Sequence, residues 1–418
     1  MPPPVKITSN FREIKFNNMI QSPYSMKIMT QATPLTGKME MHNWLYSKVN
    51  PSRGLTNSSG NRKDGTCNIS QGLEKYVSVL DTHSRNQIFN SNLMNFASLM
   101  SHLEVEEIEK TNNIYVKDER KKEMICLYLE ILEEILASNE RKYKIFNFKD
   151  NLCNQSFHRS LFVCCLETFY FIRNIKIVNL EQVLDLYELE PVQFWRVFHP
   201  FMRYDQRMPP LLRKKLFEIE VSLLSNLAWK KGNPVQMILH SNESEKESNN
   251  DPSKKVVKTD MILPIELFLD RVLRQCASQL SHLARGLNIP DKIIENAWIT
   301  LKYILVCESA LLQNRHLETM IFCSIYSVCK IDKMNIKFND ILQKFEVLPV
   351  SNKNMFHEIA YQVPINGNET KDIIAFYNQV FIKKLRTFFI ELPKQEPDTL
   401  FQNISNQFLG NSYNNNDG

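Results

Sequence analysis

The sequence predicts a soluble, mostly helical protein of two domains, and three observations carry that reading. Apolar residues recur at helical spacing through most of the chain. Only 10 of the 418 residues are glycine, too few for the Rossmann, P-loop or Greek-key turns that depend on them. A polar, apolar-free run, Ser241 to Pro252, divides the chain near its middle and reads as a linker. A content of 25 Phe and 14 Tyr excludes wholesale disorder, because such side chains must pack. The net charge of +5 is too mild for a phosphate-tracking surface, so direct sequence-specific DNA binding is not expected.

Residues 1–67 carry prolines and Ser/Asn/Gly turn chemistry without sustained periodicity, and are expected to be largely disordered. Ser22-Pro23 and Thr33-Pro34 in this stretch are minimal proline-directed phosphorylation sites. A first helical domain is expected over 68–238. Within it Met124, Ile125, Tyr128, Ile131, Leu132, Ile135 and Leu136 repeat at helical spacing, with Glu130, Glu133 and Glu134 expected to face away. Phe157 to Ile172 is apolar nearly all round and should be a central, buried helix. Leu212, Leu216, Ile219, Leu223 and Leu227 mark another helix, ending at Trp229. A spacer is expected over 239–260, a second helical domain over 261–392 and a loose tail over 393–418. Val272, Cys276, Leu280 and Leu283, then Met320 to Cys329, then Ile373 to Phe381, outline helices of that second domain. His158, Val163 and Cys165 recur as His316, Ile321 and Cys323, always 158 positions later, as a duplicated domain would produce.

The opening residues, Met1 to Lys6, lack a signal-peptide core, and no uncharged apolar run reaches spanning length, so neither export nor a membrane is expected. The nine cysteines form no Cys-x-x-Cys pair, which argues against zinc and for a reducing compartment. Catalytic sets are also wanting. No His-Glu-x-x-His or Gly-x-Ser-x-Gly occurs. Cys164 and Cys165 lie near His158, but at a packing spacing on an apolar helix. Arg159-Ser160-Leu161-Phe162 and Lys214-Lys215-Leu216-Phe217 match a basic-x-Leu-Phe docking pattern, yet their Leu and Phe fall in core register. No enzyme activity, metal or cofactor is expected.

Two helix faces in the second domain hold an unusual mixture. Cys323, Tyr326 and Lys330 stand at i, i+3 and i+7; Ile374, Tyr377, Asn378 and Phe381 stand at i, i+3, i+4 and i+7. If these faces adjoin, they make an apolar groove rimmed by phenols, an amide and an ammonium. Such a groove suits an extended peptide, whose backbone polar groups cannot be buried unpaired. Lys330, with Lys333, Lys337, Lys383 and Lys384, would favour acidic ligands. The alternative is a helix core whose polar tips merely reach water.

The string Phe157-His158-Arg159-Ser160-Leu161-Phe162-Val163-Cys164-Cys165-Leu166-Glu167 resembles the signature helix of the retinoblastoma family of pocket proteins. So do Leu227-Ala228-Trp229, Asn314-Arg315-His316-Leu317, Cys323-Ser324-Ile325-Tyr326-Ser327-Val328-Cys329-Lys330 and Ile374-Ala375-Phe376-Tyr377-Asn378, in matching order from about 68 to 392. The resemblance implies two cyclin-like helical domains, A and B, packed into one pocket. It further implies a nuclear, non-enzymatic transcriptional corepressor that restrains the G1/S transition. The implied partners are E2-factor/dimerisation-partner transcription factors, Leu-x-Cys-x-Glu-containing chromatin regulators such as histone deacetylase complexes, and cyclin-dependent kinases.

By position, the family's peptide cleft carries over to Tyr326, Lys330, Phe338, Ile374, Tyr377 and Asn378. Its activation-segment groove carries over to Glu167 and Arg196 from A, with Leu267, Arg271 and Arg274 from B. For Glu167 the alternative role is a salt bridge between the domains. Departures from the family pattern are Asn339, where a basic residue is common, and Asp270, beside the expected groove. The short spacer and the paucity of Ser/Thr-Pro sites make kinase regulation a weaker implication than peptide binding. A cyclin-like kinase regulator or general transcription factor scaffold is the alternative use of such a fold.

Overall fold

In the computed structural model the described residues are 34–49, 69–103, 114–142, 148–230, 252–346, 353–366 and 369–392. They are helical apart from turns and one antiparallel hairpin, β1 (Val363–Asn366) with β2 (Glu369–Lys371). The chain divides into two compact units between Glu220 and Val221.

The first unit is built from α1 (Pro34–Val49), α2 (Gln71–Val77), α3 (Thr82–Asn86), α4 (Leu93–Leu99), α5 (Ile114–Lys142), α6 (Phe148–Cys153), α7 (Gln155–Arg173), α8 (Leu180–Leu186), α9 (Pro191–Tyr204) and α10 (Pro210–Ser222). The central helix is α7, in which 13 of 19 residues are buried. Asn154 starts it, its side-chain oxygen accepting from the Phe157 amide at 3.1 Å. Asn174 ends it in the left-handed region at φ 53°, which asparagine tolerates. Helices α1, α5 and α9 pack around it. The two basic-x-Leu-Phe strings lie inside α7 and α10, with Leu161, Phe162 and Leu216 buried. His158 is likewise a core residue. Its Nε2 donates to the Leu152 carbonyl and its Nδ1 accepts from the Tyr128 hydroxyl, both at 2.6 Å. Burial pushes its pKa down to about 4. Cys164 and Cys165 are fully buried, and burial drives both thiols well up, which leaves them inert rather than nucleophilic.

Two expectations need correction here. The stretch 1–67 is not uniformly loose, because α1 docks a stripe of Met41, Trp44, Leu45 and Lys48 at i, i+3, i+4 and i+7. Ser22 and Thr33 lie outside the described residues. The Glu130, Glu133 and Glu134 face of α5 is half-buried rather than solvated. Lys48 reaches from α1 into an ion pair with Glu134 and stands 3.2 Å from Asp205, while the Ser70 hydroxyl donates to Glu133. One buried cation thus offsets part of a carboxylate cluster that the α5 sequence presents on its own.

The second unit begins with the last two residues of α10, Val221 and Ser222, followed by the π-helical turn Leu223–Leu227 and α11 (Ala228–Lys230). It goes on through α12 (Pro252–Gly286), α13 (Asp291–Cys307), α14 (Leu317–Ile331), α15 (Phe338–Glu346) and α16 (Lys353–Tyr361). The hairpin comes next, then α17 (Ile373–Phe376), a π-helical turn over Tyr377–Phe381, α18 (Ile382–Lys384) and α19 (Arg386–Glu391). The end of the first expected domain therefore packs with this unit. Trp229 is fully buried beside Phe268, and the Ser225 hydroxyl donates to buried Glu318 at 2.8 Å. The spacer expected over 239–260 is helical from Pro252 onward. Helix α14 is this unit's centre, packed by α12, α13 and α15. Of the recurrent residues, Val163, Cys165, Ile321 and Cys323 are all fully buried. The histidines differ, since His158 lies within α7 while His316 stands at the position just before α14.

Candidate functional site

The two faces singled out in the sequence do adjoin. Every α14 residue is buried except Tyr326, Lys330 and Ile331. The loop after α14 turns through Lys333 at φ 58° and leads into α15, whose first residue is Phe338. The capping carboxylate of Asp340 accepts from the Lys337 amide at 2.8 Å and holds that start in place. On the other side, Asp372 ends the hairpin and caps α17, accepting from the Ala375 amide at 2.7 Å. The hairpin and cap therefore set the depth at which Tyr377 enters.

Tyr326 stacks on Phe338 with centroids 4.1 Å apart, and Tyr377 meets Tyr326 edge-on at 5.0 Å and 89°. Phe338 and Tyr377 close the triangle at 5.4 Å. Such pairs contribute about 0.5–1.5 kcal/mol each beyond their area burial. The Lys330 ammonium lies 5.6 Å above the Tyr326 ring. Beneath the rings, the Ser327 hydroxyl donates to the Cys323 carbonyl at 2.8 Å and stands 3.5 Å from the Tyr377 oxygen. Burial holds the Tyr377 phenol above its usual range. Around this floor Ile374 (51% exposed), Asn378 and Lys330 are open to solvent. An apolar floor edged by an amide and an ammonium can seat an apolar side chain and satisfy peptide carbonyls beside it.

The structure amends two details of the expected groove. Tyr377, at 4% exposed, belongs to the floor and not the rim. Cys323 is wholly buried and belongs to the core. For Tyr377 the shift accompanies a loosening of the helix into a π-turn, which changes which side chains share a face. Cys323 sits in regular α14, which neighbouring helices cover. Lys333, Lys337, Lys383 and Lys384 are exposed as expected, Lys384 standing 3.3 Å from Glu308. Asn339 is exposed among them.

The second predicted set is divided between the units. In the first, Glu167 is buried on α7 and Arg196 is exposed on α9. Burial raises the Glu167 carboxyl to about 7 against the opposing pull of Lys215. In the second, Leu267 is 56% exposed on α12, with Arg271 one turn on. Arg274 is taken by Asp270 in a forked pair at 2.8 and 3.4 Å, so it is not a free cation.

The sequence reading did not single out Ser327 or Arg315 as parts of this site. The Arg315 guanidinium donates to the Pro364 carbonyl at 2.7 Å and to the Ile365 carbonyl at 3.2 Å. Only the Asn314-Arg315-His316 string hinted at it. Among the described residues no group of three His, Cys, Asp or Glu side chains could hold a metal ion, and no helix is long and apolar enough to cross a membrane.

Comparison with known proteins bears on the same two units. Residues 33–239 match the retinoblastoma-associated protein A domain, and residues 264–386 match the B domain. Both are helical domains of the cyclin fold. The chain is similar to a retinoblastoma-related protein of Cocos nucifera, 21% identical over 69% of this chain and 38% of that protein. It is similar to retinoblastoma-related protein 1 of Oryza sativa subsp. japonica, 20% identical over 88% of this chain and 45% of that protein. It also resembles retinoblastoma-like protein A of Dictyostelium discoideum, 21% identical over 75% of this chain and 26% of that protein. The chain thus spans less than half the length of these curated relatives. With both halves of the pocket matched in order and most of the chain accounted for, this chain belongs to the retinoblastoma family of pocket proteins.

Proposed function

We propose that this chain is a nuclear, non-enzymatic corepressor of cell-cycle transcription that works by holding short linear segments of other proteins. The observation that carries the reading is the closed triangle of Tyr326, Phe338 and Tyr377, bordered by Lys330, Ile374 and Asn378. In this reading the triangle takes Leu-x-Cys-x-Glu segments of chromatin regulators, including those of histone deacetylase complexes. Ile374 and the ring floor take the leucine. Lys330 and Asn378 bond the peptide backbone, and the surrounding lysines attract its acidic residues. E2-factor/dimerisation-partner transcription factors are the partners of the second set, with Glu167, Arg196, Leu267 and Arg271 making contact and Arg274 joining only after leaving Asp270. Cyclin-dependent kinases are regulators of the whole protein in this scheme.

The test is a fluorescence-polarisation titration with a labelled Leu-x-Cys-x-Glu peptide. Micromolar or tighter binding by the wild-type chain is expected, and Asn378→Phe should abolish it by filling the edge of the floor. Equal binding by that variant sinks the cleft assignment.

A further inference from the structure

Helix α14, with Tyr326 and Lys330, and the segment with Ile374, Tyr377 and Asn378 are more than 40 residues apart in sequence, so something must set their separation. The turn just before α14 is placed to do so. Asn314 adopts φ 56° and its amide donates to the Trp229 carbonyl at 3.0 Å. His316 occupies the position just before α14, and its Nε2 lies 2.8 Å from Glu358 on α16. Between them, Arg315 sends three N–H groups to three carbonyls: Leu311 at 3.0 Å, Pro364 at 2.7 Å and Ile365 at 3.2 Å. The last two lie in β1 where the ladder to β2 slips register, between Pro364 and Asn366. A bulge of this kind bends a strand and re-aims the residues beyond it. The guanidinium also covers the Phe376 ring at 4.9 Å, the residue immediately before Tyr377.

We propose that Arg315 is the positioning residue of the cleft, pinning the irregular strand and Phe376 so that Ile374, Tyr377 and Asn378 stand against Tyr326. The inference rests on the peptide-cleft reading above. Arginine suits the task because its planar fork reaches divergent carbonyls while its face lies on a ring. A lysine offers one point of attachment and no face. Arg315 does not touch the peptide in this scheme. It acts through the segment it holds.

The experiment uses the full chain and two readouts. Binding of the labelled Leu-x-Cys-x-Glu peptide is titrated at 25 °C for wild type, Arg315→Lys and Arg315→Met. NMR of the Ile374 methyl groups and the Asn378 side-chain amide is recorded on the same proteins without peptide. Arg315→Met is expected to weaken binding at least tenfold and to shift both signals, and Arg315→Lys to do the same to a smaller degree. A purely structural arginine would lower the melting temperature yet leave the folded fraction's affinity and signals in place. That outcome overturns the proposal. Should Arg315→Met fail to fold, the lysine variant decides by the same two criteria. If the wild-type chain does not bind the peptide, the cleft reading falls, and the two NMR signals alone decide whether Arg315 positions this segment.

Discussion

Replacing Glu167 with glutamine should stabilise the first unit, by an amount that depends on pH in a calculable way. Glu167 is 8% exposed in the middle of α7, and burial lifts its carboxyl from 4.5 to about 7. A folded-state pKa above the unfolded value means that ionisation opposes folding. The penalty is fully present above the folded pKa and vanishes below the unfolded one. At pH 8 it comes to about 3 kcal/mol, at roughly 1.4 kcal/mol per pH unit. Glutamine keeps the shape and removes the charge, so Glu167→Gln should melt roughly 6–12 °C higher at pH 8, taking 2–4 °C per kcal/mol for a domain of this size. The gain should shrink between pH 7 and 4.5 and be gone near pH 4. Thermal unfolding monitored by circular dichroism at pH 8, 6 and 4.5 reads this directly. A variant no more stable than wild type at pH 8 would refute the reasoning, because it would mean that a native cation compensates the carboxylate more fully than Lys215 does. On the proposed reading of Glu167 as a groove residue, the same variant should also lose affinity for an E2-factor activation segment while gaining stability.

Other predictions rest on the same physics. His158 is neutral and hydrogen-bonded at both nitrogens with its pKa lowered to about 4. Its contribution is therefore complete above the unfolded pKa of 6.5 and is lost as pH falls toward 4; His158→Phe should cost about 1–3 kcal/mol in urea unfolding at pH 7 and less at pH 4. Glu130 is raised to about 6 by burial and by Glu134 and Glu133. After allowance for its partial exposure, Glu130→Gln should add about 1 kcal/mol at pH 8 and nothing at pH 4, read by the same melts. Lys48→Met removes the buried cation between Glu134 and Asp205 and should cost about 3 kcal/mol, with limited proteolysis expected to reach α1 first. Asp270→Asn frees Arg274 and should improve binding of an acidic activation segment roughly twofold to threefold, at low salt more than at high.

Much of the fold was legible because helices announce themselves locally. The Phe157–Ile172 run could only be a buried helix, since apolar residues on every side leave no face for water. Tyr326 and Tyr377 could be placed on helix faces for the same reason. Helix α1 was not legible. Its buried stripe includes Lys48, a residue that pattern reading assigns to solvent, and the carboxylates of Glu134 and Asp205, 86 and 157 residues further on, help make its burial tolerable. The acidic face of α5 was misjudged for the complementary reason.

Spacing along the chain determined that this protein is helical and twofold in plan, and which side chains share a helix face, because a 3.6-residue period is written into neighbouring positions. Contacts across the chain decided the rest. They closed the Tyr326–Phe338–Tyr377 triangle, sank Tyr377 to its floor through a π-turn, withdrew Arg274 to Asp270 and set Arg315 on the hairpin carbonyls. None of these can be read from a period, since each depends on where a distant backbone group comes to rest.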